Sequence, residues 1–203
     1  MRRHGVTRRG RLAGFEDGWW PNKLIYDHLL PFDSRRALRL HERDALVALG
    51  IRPAIDRITL KAIEGCAILQ NLGISEGKYM VLNLFSGTTK RGLSLSHQIN
   101  IARTLTALGA HKKIILTGGS FDEPVISKIK KKVPGLFVAP GLSMQELIVL
   151  VSKSAGVVSL DTGVAHIAAQ TGTPLVVLRT CWGYNWWNKD QYADDTINVL
   201  SHD

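Results

Sequence analysis

The sequence predicts an α/β protein, a Rossmann-like parallel sheet with helices on both faces, preceded by a partial second unit. Three observations carry that prediction. From Tyr79 onward, short β-branched apolar runs alternate with segments whose apolar residues recur at helical spacing. Polar and glycine-containing loops, Ser86–Arg91, Thr117–Ser120 and Asp161–Gly163, follow several of the runs. At the sharpest junction, Gly156–His166, the run Val157–Leu160 stops at Asp161-Thr162-Gly163 and a helical segment begins. Repeated β-α units need crossover connections, which make the strands parallel, and ligands of such sheets bind beyond the carboxyl ends of the strands.

Each element follows from its own residues. Tyr79–Leu84 is a short apolar strand, and Ser94–Leu108 is a helix with Leu95, Ile99, Ala102, Leu105 and Leu108 on one face and Gly109 at its end. Lys113–Thr117 is the next strand, stopped by Gly118-Gly119. Asp122-Glu123-Pro124 opens a helix, with acid and proline where a first turn favours them. Leu136–Ala139 is a third strand, and Ser143-Met144-Gln145-Glu146 is a capping box before the core face Leu147, Leu150 and Val151. Val157–Leu160, the helix after Asp161, Leu175–Leu178 and Ile197–Leu200 complete the series. Gly172 and Pro174 stop the helix that holds Ala165, Ala168 and Ala169.

Residues 1–75 read differently. Ser34–Leu49 is a helix with a serine start and Gly50 just past its end, and Leu72–Gly77 is a linker. The tract holds too few strands for a complete α/β domain. The expected division is 1–75 and 76–203.

Composition narrows the function classes. The chain has 203 residues, 45% of them hydrophobic, enough for a proper core. Its net charge of +9 raises nucleic-acid binding, but the basic residues are scattered apart from the Arg-rich start and Lys128–Lys132, which reads as a solvated helix face. Anionic small ligands suit the charge as well, and nucleic acid is not the expected partner. Two cysteines, Cys66 and Cys181, form neither a disulfide framework nor a metal spacing, which points to a reducing cytosol. No run reaches the roughly 18 to 20 apolar residues of a membrane span.

The chemistry centres on the Gly156–His166 junction. A strand feeding a helix leaves backbone N–H groups and the positive end of the helix dipole facing outward, an anion site for which phosphate is the first ligand to consider. His166 lies one turn beyond Thr162 and either points back to that ligand or packs as a core histidine. Asp161 can cap the helix, accept from sugar hydroxyls, or do both.

Thr88-Thr89-Lys90-Arg91, Ile114–Gly119, Leu142–Leu147 and Asp161–Ala169, in this order and at these spacings, resemble glycosyltransferase family 9, the heptosyltransferase-like enzymes of bacterial lipopolysaccharide core assembly. The resemblance implies a GT-B architecture in which Tyr79–Asp203 is most of the C-terminal donor domain. Residues 1–75 would be the last part of the N-terminal acceptor domain, as in an N-terminally truncated member. It implies an inverting, metal-independent transfer of a sugar, typically heptose, from a nucleotide diphosphate donor such as ADP-heptose. The acceptor would be a glycolipid or saccharide, with no cofactor. The setting would be the cytoplasm, with peripheral contact at the inner membrane.

The donor-site residues implied are Thr88, Thr89, Lys90, Arg91, Gly118, Glu123, Leu142, Asp161, Thr162, Gly163 and His166. Lys90 or Arg91 would supply counter-charge to the diphosphate, and Thr88 and Thr89 would offer hydroxyls. Glu123 or Asp122 would accept from the ribose, their alternative being first-turn helix stabilisation. Leu142 sits where the family's backbone reads the adenine edge, or else is packing. Gly92 replaces the family's usual tryptophan, and Arg179–Trp187 replaces a glycine-containing turn with an aromatic cluster, either a sugar-stacking or a packing surface. The carboxylate that deprotonates the acceptor has no matching residue here, so no catalytic residue is assigned. The competing readings are a non-catalytic nucleotide-sugar binding module and, more remotely, a GT-B-like sugar epimerase.

Overall fold

A computed structural model describes residues 12–15, 22–33, 36, 38–52, 59–62, 64, 66–87, 92–108, 112–180, 187 and 197–202. Chain contacts divide it into two compact units, Met1–Arg57 with Tyr184–Ala193, and Ile58–Gly183 with Asp194–Asp203.

In the smaller unit, β1 (Ala13–Phe15) pairs in parallel with β2 (His28–Leu30), and α1 (Asn22–Ile25) lies between them in the chain. These short strands were not foreseen, since three residues are too few to show an alternating pattern. The helix expected at 34–49 is α2, Leu38–Ala48; Ser34 lies outside the described residues. Its end follows the predicted chemistry. Gly50 adopts φ +79°, its N–H donates to Val47 O, and Ile51 N–H donates to Leu46 O, the paired bonds of a glycine-terminated helix. His41 is buried, stacked on Phe32 at 4.7 Å and edge-on to Phe15 at 5.4 Å, with Nε2 2.9 Å from Asp33 O.

The larger unit begins with α3 (Ile68–Asn71) and carries the sheet. Its strands are β3 (Tyr79–Asn83), β4 (Lys113–Gly118), β5 (Phe137–Pro140), β6 (Val157–Leu160), β7 (Leu175–Thr180) and β8 (Ile197–His202). All six are parallel, in the order β5-β4-β3-β6-β7-β8. The predicted strands stand, with ends shifted by one or two residues. The helices are α4 (Leu95–Leu108), α5 (Glu123–Lys132), α6 (Met144–Ser152) and α7 (Gly163–Thr171).

Winding proceeds outward from β3 to β5, returns to β6 beside β3, then runs outward again to β8. Right-handed crossovers in those two directions put α4 and α5 on one face and α6 and α7 on the other. The contacts agree, α4 packing on α5 and α6 on α7. Alternation along β3 serves both faces. Leu82 and Leu84 join Ile114, Leu116, Ile126 and Ile129 in one buried cluster, while Tyr79 on the other face donates its hydroxyl to Leu150 O at 2.7 Å. Burial raises the Tyr79 phenol above its ordinary pKa. Truncating Leu116, fully buried in the interior strand β4, to alanine would cost about 2–5 kcal/mol.

The run at 72–77, read from the sequence as a linker, is a set of turns within this unit. Ile74 N donates to Leu69 O, Gly77 N to Lys153 O, and Lys113 Nζ to Gly73 O at 2.8 Å. Leu60 N bonds Gln170 O on α7, so residues before 75 also belong with this unit. Among the described residues no helix is long and apolar enough to cross a membrane.

Candidate nucleotide site at the sheet's switch point

The order of strands reverses between β3 and β6, and their carboxyl ends meet there. Asn83 ends β3, and Thr162 stands two residues past β6 as the first flanking residue of α7. Thr162 Oγ1 lies 3.4 Å from Asn83 Oδ1 and 3.3 Å from Ser159 Oγ, and it makes no capping bond to its own helix. The first N–H groups of α7, with the helix dipole behind them, are therefore left for another acceptor.

A cavity of about 510 Å³ opens at this point. Its polar end is formed by Asn83, Ser86, Gly87, Thr162 and Gly163, and its apolar walls by Phe121, Met144, Leu147 and Ile167. Gly163 needs no special backbone angle, and a Cβ there would meet nothing within 4 Å, so its bareness opens space for a ligand rather than for packing. Gly118 is the reverse case. A Cβ on it would lie 2.8 Å from Phe85 Cδ2 and 3.1 Å from Asp122 Cβ, so this residue is required by the loop's own packing.

Asp122 lines the cavity and accepts from Gly119 N at 2.9 Å, which fixes the turn Ser120–Asp122. Glu123 is exposed on the first turn of α5 and does not line the cavity. Of the two acids considered for ribose contact, Asp122 is thus the one at the site. Leu142 is half-buried beside the cavity wall residue Met144 in sequence but is not itself a wall residue.

Asp161 and His166 sit behind the helix mouth. Nε2 of His166 is 3.9 Å from Oδ1 of Asp161, and His166 N bonds Thr162 O. Burial lowers the His166 pKa more than the Asp161 carboxylate raises it, which favours the neutral imidazole. A second cavity of about 550 Å³ shares Phe85, Ser86, Gly87 and Asp122 with the first and continues to Gly92, Ser94 and Gln98. Thr88, Thr89, Lys90 and Arg91, expected as phosphate contacts, lie outside the described residues, as does most of the Arg179–Trp187 aromatic cluster. Gly87 and Gly92, which flank the first of these segments, both line the second cavity.

The structure thus brings Thr162 and Gly163 to the cavity and sets Asp161 and His166 beside them. Sequence reasoning missed Asn83, Phe121 and Met144. The first had a visible signal, a polar amide ending an apolar strand; Phe121 had a weaker one, a lone aromatic inside a polar turn. Among the described residues no group of three or more His, Cys, Asp or Glu could hold a metal ion.

These features define a Rossmann-like domain with a cavity at its topological switch point, where the N-terminus of α7 carries no side-chain cap. Residues 100–181 match the model of glycosyltransferase family 9 (heptosyltransferase), so the family resemblance read from the sequence stands over that segment. A family 9 glycosyl transferase from Veillonella parvula superposes with TM-score 0.70 at 16% identity, over 89% of this chain and 53% of that one. E. coli ADP-heptose lps heptosyltransferase II gives 0.63 at 15%, over 93% and 60%. E. coli heptosyltransferase WaaC with ADP gives 0.60 at 17%, over 89% and 55%. At these identities the likeness is one of fold, and the chain spans 53–60% of the length of those structures. No curated protein matches the chain.

Proposed function

We propose that this chain supplies the donor site of a family 9 glycosyltransferase that moves a sugar from a nucleoside diphosphate to a saccharide or glycolipid acceptor. The carrying observation is the apolar-walled cavity that ends at the uncapped N-terminus of α7, at the switch point of the sheet. A nucleoside diphosphate matches both ends of such a cavity.

In the transfer, the bond between the anomeric carbon and the diphosphate oxygen breaks, the acceptor hydroxyl oxygen takes its place on that carbon while its proton passes to a general base for which no residue of this chain is assigned, and the diphosphate leaves with the electron pair. Negative charge then grows on phosphate oxygens. The N–H groups at Gly163 and the next residues are fixed and aimed outward, so they stabilise that charge without reorganising. Lys90 and Arg91 would add charge-assisted hydrogen bonds, each worth about 1.5–3 kcal/mol. Asp161 would receive sugar hydroxyls, and the neutral imidazole of His166 would contact a phosphate or sugar oxygen.

The reading extends to heptose as the sugar, a lipopolysaccharide-core-type acceptor and an inverting, metal-independent reaction. Met1–Arg57, the first part of the smaller unit, would belong to the acceptor domain, and the site of action would be cytoplasmic at the inner membrane face. Two solved structures support this reading through the fold they share with the chain, and one of them, E. coli heptosyltransferase WaaC, is a structure with ADP. The test is calorimetric titration of the chain with ADP, UDP and ADP-heptose. Saturable binding of ADP and ADP-heptose, weakened at least ten-fold by Lys90→Ala and by Asp161→Asn, is expected. Unchanged affinity in both variants would overturn the assignment.

A further inference from the structure

Charge is divided between the two ends of the larger unit's sheet. From Gly77 to Arg179 the acids are Asp122, Glu123, Glu146 and Asp161. Asp122 and Glu123 follow β4, Glu146 stands in the first turn of α6, and Asp161 follows β6, so all four lie at the carboxyl ends of the strands. Among the described residues of this stretch, the lysines gather at the other end, where parallel strands start and crossover helices stop. Lys78 leads into β3, Lys112 and Lys113 lead into β4, and Lys130–Lys132 close α5. The helix dipole favours lysine at the end of α5, but it gives no reason for lysine at the starts of strands.

These lysines meet at one corner of the unit. Lys113 N bonds Lys78 O, which brings the starts of β3 and β4 together. Lys113 Nζ stands 4.7 Å from the centroid of the half-buried Phe137 ring, and Lys130 Nζ stands 5.7 Å from the same centroid. Each ammonium donates to a backbone carbonyl, Lys113 to Gly73 O and Lys130 to Leu136 O, and keeps further N–H donors. Among the described residues no carboxylate pairs with either of them, nor with the exposed Lys112, Lys131 and Lys132. An apolar group joins the corner. Leu108, the last residue of α4, is 75% exposed. A Cβ on Gly135 would lie 3.5 Å from Thr106 Cγ2, so the turn after α5 abuts the last turn of α4 and sets Leu108 at the margin of the lysines.

We propose that this corner docks on an anionic phospholipid surface, with its lysines meeting headgroup phosphates and Leu108 entering the interface. The inference goes beyond the nucleotide reading and does not depend on it, because the cavity lies at the opposite end of the strands. A negative bilayer attracts each lysine held near it, and an exposed leucine adds apolar contact. Nucleic acid suits the corner less. Its ring, Phe137, is half-buried beside two ammonium groups, and the exposed Phe121 belongs to the other end of the sheet. Lysine also meets phosphate as a point charge and lacks the guanidinium fork that reads base edges.

The test is sedimentation of the full chain with vesicles of phosphatidylcholine alone and of phosphatidylcholine with phosphatidylglycerol, at low and high salt. The variants are Lys131→Gln with Lys132→Gln, and Leu108→Ser. A control of equal charge loss is Arg43→Gln with Arg52→Gln, two exposed cations of the smaller unit. Wild type is expected to sediment with the anionic vesicles at low salt, to be released at high salt, and to ignore the neutral ones. The lysine pair weakens partition about ten-fold or more, whereas the control pair stays within about two-fold of wild type. Leu108→Ser weakens it several-fold, and all variants keep the wild-type unfolding midpoint because the altered side chains are exposed. Equal sedimentation with neutral and anionic vesicles overturns the proposal. Equal losses in the lysine pair and the control pair overturn the assignment to this corner. Tighter retention on duplex DNA than on anionic vesicles, lost in the lysine pair, overturns the membrane in favour of nucleic acid.

Discussion

Thr162 Oγ1 donates to Asn83 Oδ1 across 3.4 Å, joining residues 79 positions apart at the point where the sheet changes its direction of winding. The amide it meets is itself buried and donates from Nδ2 to Thr117 O, also at 3.4 Å, so the bond couples the carboxyl ends of β3, β4 and β6. The side chain turned toward Asn83 makes no bond to the first turn of its own helix, which leaves the mouth of α7 open.

Thr162→Val keeps shape and removes the hydroxyl. The loss of one long hydrogen bond, with a buried amide oxygen left short of a donor, is expected to cost about 1–2 kcal/mol in urea unfolding. ADP affinity should fall as well, by several-fold, because the first turn of α7 loses its anchor. A variant as stable as the wild type would show that the 3.4 Å contact contributes nothing to the fold.

Two glycines at the site separate packing from ligand approach. Gly118→Ala places a Cβ 2.8 Å from Phe85 and is expected to destabilise by about 1–3 kcal/mol through overpacking. Gly163→Ala meets no atom within 4 Å and sits in the first turn of a helix, where alanine is the better residue, so stability should be equal or higher. Its methyl group would nevertheless stand where a phosphate must approach the backbone, and ADP binding should drop ten-fold or more. Equal ADP affinity for Gly163→Ala and wild type would remove the helix mouth from the site.

The capping box of α6 gives a stability test remote from the cavity's polar end. Ser143 Oγ accepts from Glu146 N at 3.3 Å, and Glu146 Oε2 accepts from Ser143 N at 2.9 Å. These bonds hold the Glu146 carboxyl below its ordinary pKa. Ser143→Ala should lower stability by about 1 kcal/mol. Chemical denaturation measures it, and a change below a few tenths would mean that the exposed cap frays in solution.

The parallel sheet was legible because its strands are short and mostly apolar and several helices carry their own start and stop signals. Ser143 and Glu146, Pro124, and Gly172 at φ +71° all act where the sequence placed them. The polar half of the site was legible for the same reason, since Asp161-Thr162-Gly163 is contiguous. What stayed hidden was assembled by tertiary packing. Asn83 reaches Thr162 only through strand order, and Phe121 and Met144 meet one cavity because Gly141 N, bonded to Gly118 O, ties their loops. Among the described residues of the first 57, the sheet is two three-residue strands, too short to leave a period in the chain.

His166 should make stability depend on pH. Its folded pKa lies below the ordinary value of 6.5, burial outweighing the neighbouring Asp161 carboxylate. The unfolded chain therefore binds a proton near pH 6.5 that the native state still refuses. Between that pH and the lower native pKa, ν is larger for the unfolded state, and stability rises with pH. The native protein is thus expected to lose stability as pH falls below about 6.5, levelling off once the native imidazole also protonates. His166→Gln, which cannot take the proton, should flatten this part of the profile without altering the carboxylate-driven loss at lower pH. Thermal unfolding midpoints of both proteins from pH 5 to 8 decide it. Parallel profiles would mean that the histidine titrates alike folded and unfolded, and that its environment at the mouth of α7 is wetter than its burial implies.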